Sequence, residues 1–572
     1  MTAMVTAMPP EATVNRSSVL LTSRYEIYDA SSPVLVHLIR LAPEQGPKTQ
    51  ILSGPRVSYM NIYVEDIFCF ATIVYISHRN NVYILPTMRI DMSQIKRRLE
   101  STTSLCPSCL TLIPGEYVTD DSSVYLHREC PEHGETTRKV WDSLDHWEWA
   151  KQFQPDAEFN PDGDFTVSND HACLAVIEVT SDCNLSCSFC FASSGPGGTH
   201  RSFETVEKLL QTIVKSGGPR PIQFSGGEPT VRDDLPEIVE RAVQMGFEHI
   251  QINTNGIELV EKKGYASRLS DAGVTAIYLQ FDGLQSETYE AIRGVDLADL
   301  KREAVKTCRE AGLSVVLVPT IVPGTNDHEM GDIVRYALEN RDIVESVNFQ
   351  PVAHFGRYET NDGRFSLDTA AKRLAEGFEV IEPRDLMPVP CCSAYCQSAT
   401  GLLPSEQGPV PVTKFLSADL FTNISGLVDE SDWMELIAKT PAGGEAACQT
   451  ANCCGGDAPS LPAGADEMLD RVLPISLTGF MDADAADAGR LDNCCISVPT
   501  EDGELVPFCG YNMTTDDGEY ALRNRNNWGG RPGVNEPLPI DDDAGCSVED
   551  AEQDSSVTEA IEVTDQSASR GE

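Results

Sequence analysis

Three thiols stand close together in Ser181-Asp182-Cys183-Asn184-Leu185-Ser186-Cys187-Ser188-Phe189-Cys190, directly after an apolar run ending at Thr180. A C-x3-C-x2-C spacing can ligate three irons of a [4Fe–4S] cluster and leave the fourth open, and an open iron can bind a ligand and pass it an electron. Phe189, next to the last thiol, would keep water off such a cluster. A second set, Cys106-Pro-Ser-Cys109 and Cys130-Pro-Glu-His133-Gly134, presents four ligands on two short knuckles. That is Cys3His spacing for one tetrahedral ion, zinc or a mononuclear iron, and with all positions filled by protein the site would be closed to substrate.

Nine further thiols follow: Cys391, Cys392 and Cys396, then Cys448, Cys453 and Cys454, then Cys494, Cys495 and Cys509. They suffice for one or two auxiliary [4Fe–4S] clusters at four ligands each. Cys391, Cys396, Cys494, Cys495 and Cys509 are the favoured ligands. Adjacent pairs rarely give both thiols to one cluster, and Cys448–Cys454 lies in a Gly/Ala-rich stretch. Cys173 and Cys308 read as small buried hydrophobes, and Cys69 and Cys546 as bystanders. No secretory pattern occupies the first 30 residues, which favours metal over a disulfide framework and a cytoplasmic setting.

Strand-like and helix-like segments alternate behind the triplet. Leu174–Thr180, Pro221–Phe224, His249–Asn253, Ala276–Phe281, Ser314–Pro319 and Ser346–Gln350 read as strands. Ser202–Lys215, Leu235–Met245, Gly264–Ala272, Leu297–Ala311 and Glu329–Glu339 read as helices between them. This predicts an α/β fold, a partial (β/α)6 TIM-type barrel with active residues at the strands' C-terminal ends. Those ends carry Gly226-Gly227-Glu228, Asn255 and Gln280-Phe281-Asp282. Around them we expect residues 1–90 as an atypical extension, 91–150 as a metal-binding β knuckle, 170–355 as the barrel, 356–530 as an auxiliary Fe–S region and 531–572 as an acidic disordered tail.

Charge divides the chain. The 572 residues carry 88 Asp and Glu against 43 Lys and Arg, a net charge of −45, yet the first 90 are near neutral with 6 acidic and 7 basic residues. Those 90 read as a poorly ordered extension or as residues upstream of a start near Met88 or Met92, with a genuine small domain ranked third. The acidic remainder resembles proteins of salt-loaded, halophilic cytoplasms and disfavours nucleic acid as a partner. Residues 534–572, with 12 acidic side chains and one basic, cannot bury enough surface to offset chain entropy.

The triplet after a strand, with Gly226-Gly227-Glu228 in register, resembles the radical S-adenosylmethionine (SAM) superfamily. The wider pattern adds the Cys106–Gly134 knuckles, Phe224-Ser-Gly-Gly-Glu-Pro-Thr230, Tyr278-Leu-Gln-Phe-Asp-Gly283, Val316-Leu-Val-Pro-Thr320, Val347-Asn-Phe-Gln-Pro351 and Val506-Pro-Phe-Cys-Gly-Tyr-Asn512. Over about residues 100–525 it is similar to the archaeal group that includes tetraether lipid (macrocyclic archaeol) synthase, whose members are also described as pterin C-methylating enzymes. The resemblance implies a SAM-cleaving cluster on Cys183, Cys187 and Cys190 and a SAM site around Gly226, Gly227, Glu228, Asn255, Gln280 and Asp282. The glycines would let backbone approach SAM, and Glu228 would accept from its ammonium. Gln280 departs from the serine usual in molybdopterin-biosynthesis-like members.

Such hardware implies reductive cleavage of SAM to a 5′-deoxyadenosyl radical and attack on an unactivated C–H bond. The first expectation for the substrate is C–C bond formation or alkylation on an isoprenoid lipid, with peripheral membrane contact. The second is C-methylation of a pterin precursor, which needs a small polar pocket with amide or carboxylate readers. A non-catalytic electron-transfer protein and a peptide modifier rank below. A reducing donor such as ferredoxin or flavodoxin is the expected partner.

Overall fold

The computed structural model describes residues 95–154, 173–358, 365–389, 393–405, 407–414, 471–520 and 522–523, with only the backbone of short strands between 20 and 83. Cys69, Cys391, Cys392, Cys448, Cys453, Cys454 and Cys546 lie outside the described residues.

Four antiparallel strands form a ribbon ahead of the barrel: β1 (Arg97–Leu105), β2 (Leu112–Thr119), β3 (Val124–Cys130) and β4 (Gly134–Trp141), in spatial order β4-β3-β2-β1. The β3–β4 turn pairs Cys130 with Gly134, and Gly134 sits at φ +75°, a left-handed conformation that glycine adopts without a Cβ penalty. The short helix α1 (Leu144–Ala150) follows, its N-terminus capped by the Ser143 hydroxyl. It lays Trp147 flat on Tyr395, ring centroids 3.9 Å apart, which fixes the ribbon to the rest of the chain. Buried Arg128 adds bonds to the carbonyls of Leu105 and Ala483, at 2.9 and 2.8 Å.

Six parallel strands then alternate with helices. They are β5 (Leu174–Thr180), β6 (Ile222–Gly226), β7 (Ile250–Thr254), β8 (Ala276–Gln280), β9 (Ser314–Val318) and β10 (Val344–Pro351). Side-chain alternation decides what each strand faces. On β5, Ala175, Ile177 and Val179 join the core under the helices, while Val176 and Glu178 face the lumen. The helix α2 (Phe203–Lys215) shows the complementary period. Ser202 caps it, and Val206, Leu209, Leu210 and Ile213 are buried, a spacing that puts all four on one stripe. Burying each leucine or isoleucine contributes about 1.5–3 kcal/mol.

The C-terminal region is woven into this sheet. Strand β11 (Gln397–Leu403) pairs antiparallel with β12 (Leu473–Thr478), and β12 runs parallel to β10. On the opposite edge, β13 (Ile496–Pro499) runs parallel to β5 and is backed by β14 (Leu505–Pro507). One region thus flanks both edges of the six-stranded array, and Cys495, just before β13, lines the lumen.

Candidate functional site

A cavity of about 420 Å3 opens inside the barrel and receives Cys183, Cys187 and Cys190 together with Gly226, Gly227, Glu228, Asn255 and Gln280. The volume lies within the range of small-molecule sites. Three thiols on one loop facing one cavity suit a cluster bound through three irons. Arg357, which the sequence gave no reason to single out, clasps this loop. Its main chain exchanges bonds with Cys190 at 2.9 and 3.0 Å, and its guanidinium donates to the carbonyls of Cys187 (2.7 Å) and Ser194 (2.8 Å). Leu185 packs on buried Tyr289, and Phe189 lines the cavity as expected. Phe191 adds edge contacts to Phe355 and Phe480, both at 5.3 Å.

The two glycines have a structural reason that differs from the expected one. A Cβ on Gly226 would stand 2.2 Å from the Thr180 carbonyl oxygen, and one on Gly227 2.2 Å from that of Asp182. Gly227 N–H donates to Thr180 at 2.8 Å, and Glu228 N–H to Asp182 at 2.8 Å. The chain's own backbone fills the space the missing side chains leave, which locks the Glu228 turn to the segment that launches Cys183.

Glu228 is 2% exposed, yet its carboxylate is well supplied with donors. Oε1 accepts from Thr230 N–H (3.0 Å) and Thr254 Oγ1 (2.7 Å), and Oε2 from Asn255 N–H (2.7 Å). Burial raises its pKa and these donors oppose the rise. Asn255 spans from Asn184 Oδ1 (2.7 Å) to Ile257 N–H (3.0 Å), so it ties the triplet loop to the end of β7.

Asp282 requires a correction. It is fully buried and is not among the residues lining the cavity, because its carboxylate is taken by Arg293, Thr320 N–H (3.1 Å) and Gln280. Arg293 lines the cavity in its place, beside Gln280. Gln280 Oε1 accepts from buried Lys301 at 2.8 Å, and burial lowers the Lys301 pKa to about 7. No local pattern marked Arg293 or Lys301, which arrive from helices Ser286–Arg293 and Ala298–Ala311.

Deeper in the lumen the strands present amides and hydroxyls. Gln223 donates to Gln251 at 3.1 Å and Asn253 to Ser225 at 3.4 Å. Tyr278 accepts from Asn348 at 2.6 Å and from Gln350 at 3.0 Å. All seven face the cavity. The motifs that carried Tyr278, Asn348 and Gln350 were legible, but their convergence on one point was not.

In the ribbon, the ligand atoms of Cys106, Cys109, Cys130 and His133 lie within 4.8 Å of one another. Cys106 and Cys130 Sγ are 3.6 and 3.5 Å from His133 Nδ1, and Cys109 Sγ is 4.0 Å from Cys130 Sγ. A tetrahedron with metal bonds of about 2.1–2.3 Å has edges of about 3.6–3.8 Å, so the donor set fits one ion with little adjustment. The auxiliary thiols are more dispersed. Cys396 Sγ accepts from Arg490 Nη2 at 3.3 Å, Cys509 Sγ from Met481 N–H at 3.4 Å, and Cys494 Sγ lies 3.3 Å from the Ile496 carbonyl. Cys308 is buried in the core as expected. Cys173 is not: it lines the cavity with Cys495, whose carbonyl accepts its N–H at 2.8 Å, because β5 and β13 pair in register there.

Comparison with known proteins agrees with this division. Residues 177–337 match the model of the Radical SAM superfamily, and residues 98–142 match the HMPTM N-terminal zinc ribbon domain. The chain is 33% identical over 475 residues to 7,8-dihydro-6-hydroxymethylpterin dimethyltransferase of Methanocaldococcus jannaschii, covering 72% of this chain and 93% of that protein. It is 32% identical over 173 residues to a probable GTP 3′,8-cyclase of Methanothermobacter thermautotrophicus, 30% of this chain and 55% of that protein. Among solved structures, Streptococcus suis SuiB bound to the precursor peptide SuiA matches with a TM-score of 0.32 at 19% identity, covering 36% of this chain and 45% of that one. A three-thiol loop on a parallel barrel, a four-ligand ribbon before it and identity along nearly the whole of a relative converge: the chain belongs to the radical SAM superfamily, within the zinc-ribbon group that includes the pterin dimethyltransferase.

Proposed function

We propose that this enzyme C-methylates a reduced pterin related to 7,8-dihydro-6-hydroxymethylpterin. The observation that carries the reading is the lumen of Gln223, Gln251, Asn253, Tyr278, Asn348 and Gln350. Beyond their bonds to one another, these amides keep donor and acceptor capacity that matches the lactam, amine and ring nitrogens of a pterin and that an isoprenoid chain would leave unused. The activity of the Methanocaldococcus jannaschii relative points the same way. Both favour the second expectation from the sequence over the lipid reading.

When bound, the cluster and SAM supply a 5′-deoxyadenosyl radical through one-electron reduction by a low-potential donor such as ferredoxin or flavodoxin. Cys183, Cys187 and Cys190 would hold the cluster. Glu228 would accept from the SAM ammonium through the remaining capacity of Oε2, and Arg293 stands where it can meet a carboxylate. Phe189, Phe191 and Leu185 exclude water from the reacting end. The ribbon residues would hold zinc as a structural ion, and Cys396, Cys494, Cys495 and Cys509 would serve auxiliary clusters.

Reconstituted enzyme, reduced anaerobically with 7,8-dihydro-6-hydroxymethylpterin, SAM as radical source and a separate methyl donor (further SAM or a reduced one-carbon carrier), should yield a pterin in which one or two C–H hydrogens are replaced by methyl groups on mass spectrometry. No such product, together with modification of an archaeal isoprenoid lipid under the same conditions, would reverse the assignment.

A further inference from the structure

The lumen contains one hydroxyl whose proton is directed by its neighbours. Tyr278 sits on β8 and receives two hydrogen bonds at its oxygen, from Asn348 Nδ2 at 2.6 Å and from Gln350 Nε2 at 3.0 Å, both on β10. Asn348 is oriented in turn, because its Oδ1 accepts from Thr478 Oγ1 at 2.9 Å on β12. A phenol oxygen carries two lone pairs and one proton. With both lone pairs engaged by amide N–H groups, the proton is left to donate. Tyr278, Asn348, Gln350 and Thr478 all line the same cavity, so an acceptor placed there meets it. Burial holds the phenol above its ordinary pKa, which keeps it protonated across the working range.

We infer that Tyr278 donates a hydrogen bond to an acceptor atom, a carbonyl oxygen or ring nitrogen, of the substrate's nitrogen heterocycle, and that Asn348 and Gln350 set its direction. The inference rests on the pterin reading above and adds the residue that reads the substrate. Two heterocycles can enter this lumen, the substrate and the adenine of SAM. Tyr278 lies one inward-facing position before Gln280, toward the N-terminal end of β8 and away from the Glu228 turn. That places it on the substrate.

The test uses reconstituted holoenzyme and two titrations, 7,8-dihydro-6-hydroxymethylpterin and SAM, each followed calorimetrically. Tyr278→Phe should weaken pterin binding about tenfold or more while the SAM affinity stays within about twofold, since a polar partner loses its donor in a buried site. Asn348→Asp gives a second reading without removing the ring. A carboxylate there would capture the phenol proton and turn it from the substrate, so pterin binding should fall comparably, and the double variant should bind no worse than either single one. Equal pterin affinity in wild type and Tyr278→Phe would overturn the inference, as would a loss confined to SAM. Failure of the wild type itself to bind the pterin would instead overturn the functional reading on which the inference stands.

Discussion

Arg293 grips Asp282 through two parallel hydrogen bonds, from Nε at 2.7 Å and Nη2 at 2.8 Å, with the side chains 8% and 0% exposed. The carboxylate therefore serves the guanidinium, and the guanidinium faces the cavity. Asp282→Asn keeps the shape but leaves a buried cation uncompensated, so the metal-free chain should lose about 3–5 kcal/mol of stability in denaturant unfolding. Adding Arg293→Met should recover most of the loss. An unchanged midpoint in Asp282→Asn would show that the pair carries no such coupling.

Gly227→Ala places a methyl group into the Asp182 carbonyl, 2.2 Å away. Since backbone cannot yield there without moving the start of the triplet loop, the variant should lose about four irons per chain and keep the ribbon ion. Metal analysis after anaerobic reconstitution decides this. Full iron loading would mean the close approach is relaxed at little cost.

How much of this was readable from residues alone follows from the range of the interactions. The triplet, the ribbon ligands and the strand–helix alternation are local patterns, and each formed where its spacing placed it. The β12 and β13 edges were not legible, because Leu473–Thr478 and Ile496–Pro499 are short segments whose partners lie at β10 and β5. Asp282 was misread for a related reason. Its motif marks a strand end, but Arg293 on the following helix decides which way the carboxylate is spent. Cys173 looked like an isolated hydrophobe until β13 brought Cys495 beside it.

The ribbon should hold one tightly bound ion per chain, and Cys130→Ser should remove it while the triplet retains its iron. Zinc is silent in visible absorption, so a ribbon holding iron would reveal itself as a thiolate-to-iron band lost in Cys130→Ser.

His146 gives the ribbon junction a pH dependence. Burial first, and the nearby Arg384 charge second, lower its pKa from 6.5 to about 4. Its Nδ1 accepts from Trp141 Nε1 at 3.2 Å. The unfolded chain therefore takes up the proton first as pH falls. Stability is fully present above about pH 6.5 and declines toward pH 4, by about 3 kcal/mol at the lower limit. Tryptophan fluorescence reports the junction, since the Trp141 and Trp149 rings lie 5.8 and 4.9 Å from the His146 ring, tilted and edge-on. His146→Phe should flatten the slope between pH 6.5 and 4. An identical slope in the variant would place the titration elsewhere.

The fate of SAM tests the role of the triplet most directly. Reduced, reconstituted enzyme should form 5′-deoxyadenosine, faster when 7,8-dihydro-6-hydroxymethylpterin is present, and Cys187→Ala should form none with or without it. Continued 5′-deoxyadenosine formation by Cys187→Ala would contradict the assignment of the triplet as the cleaving site.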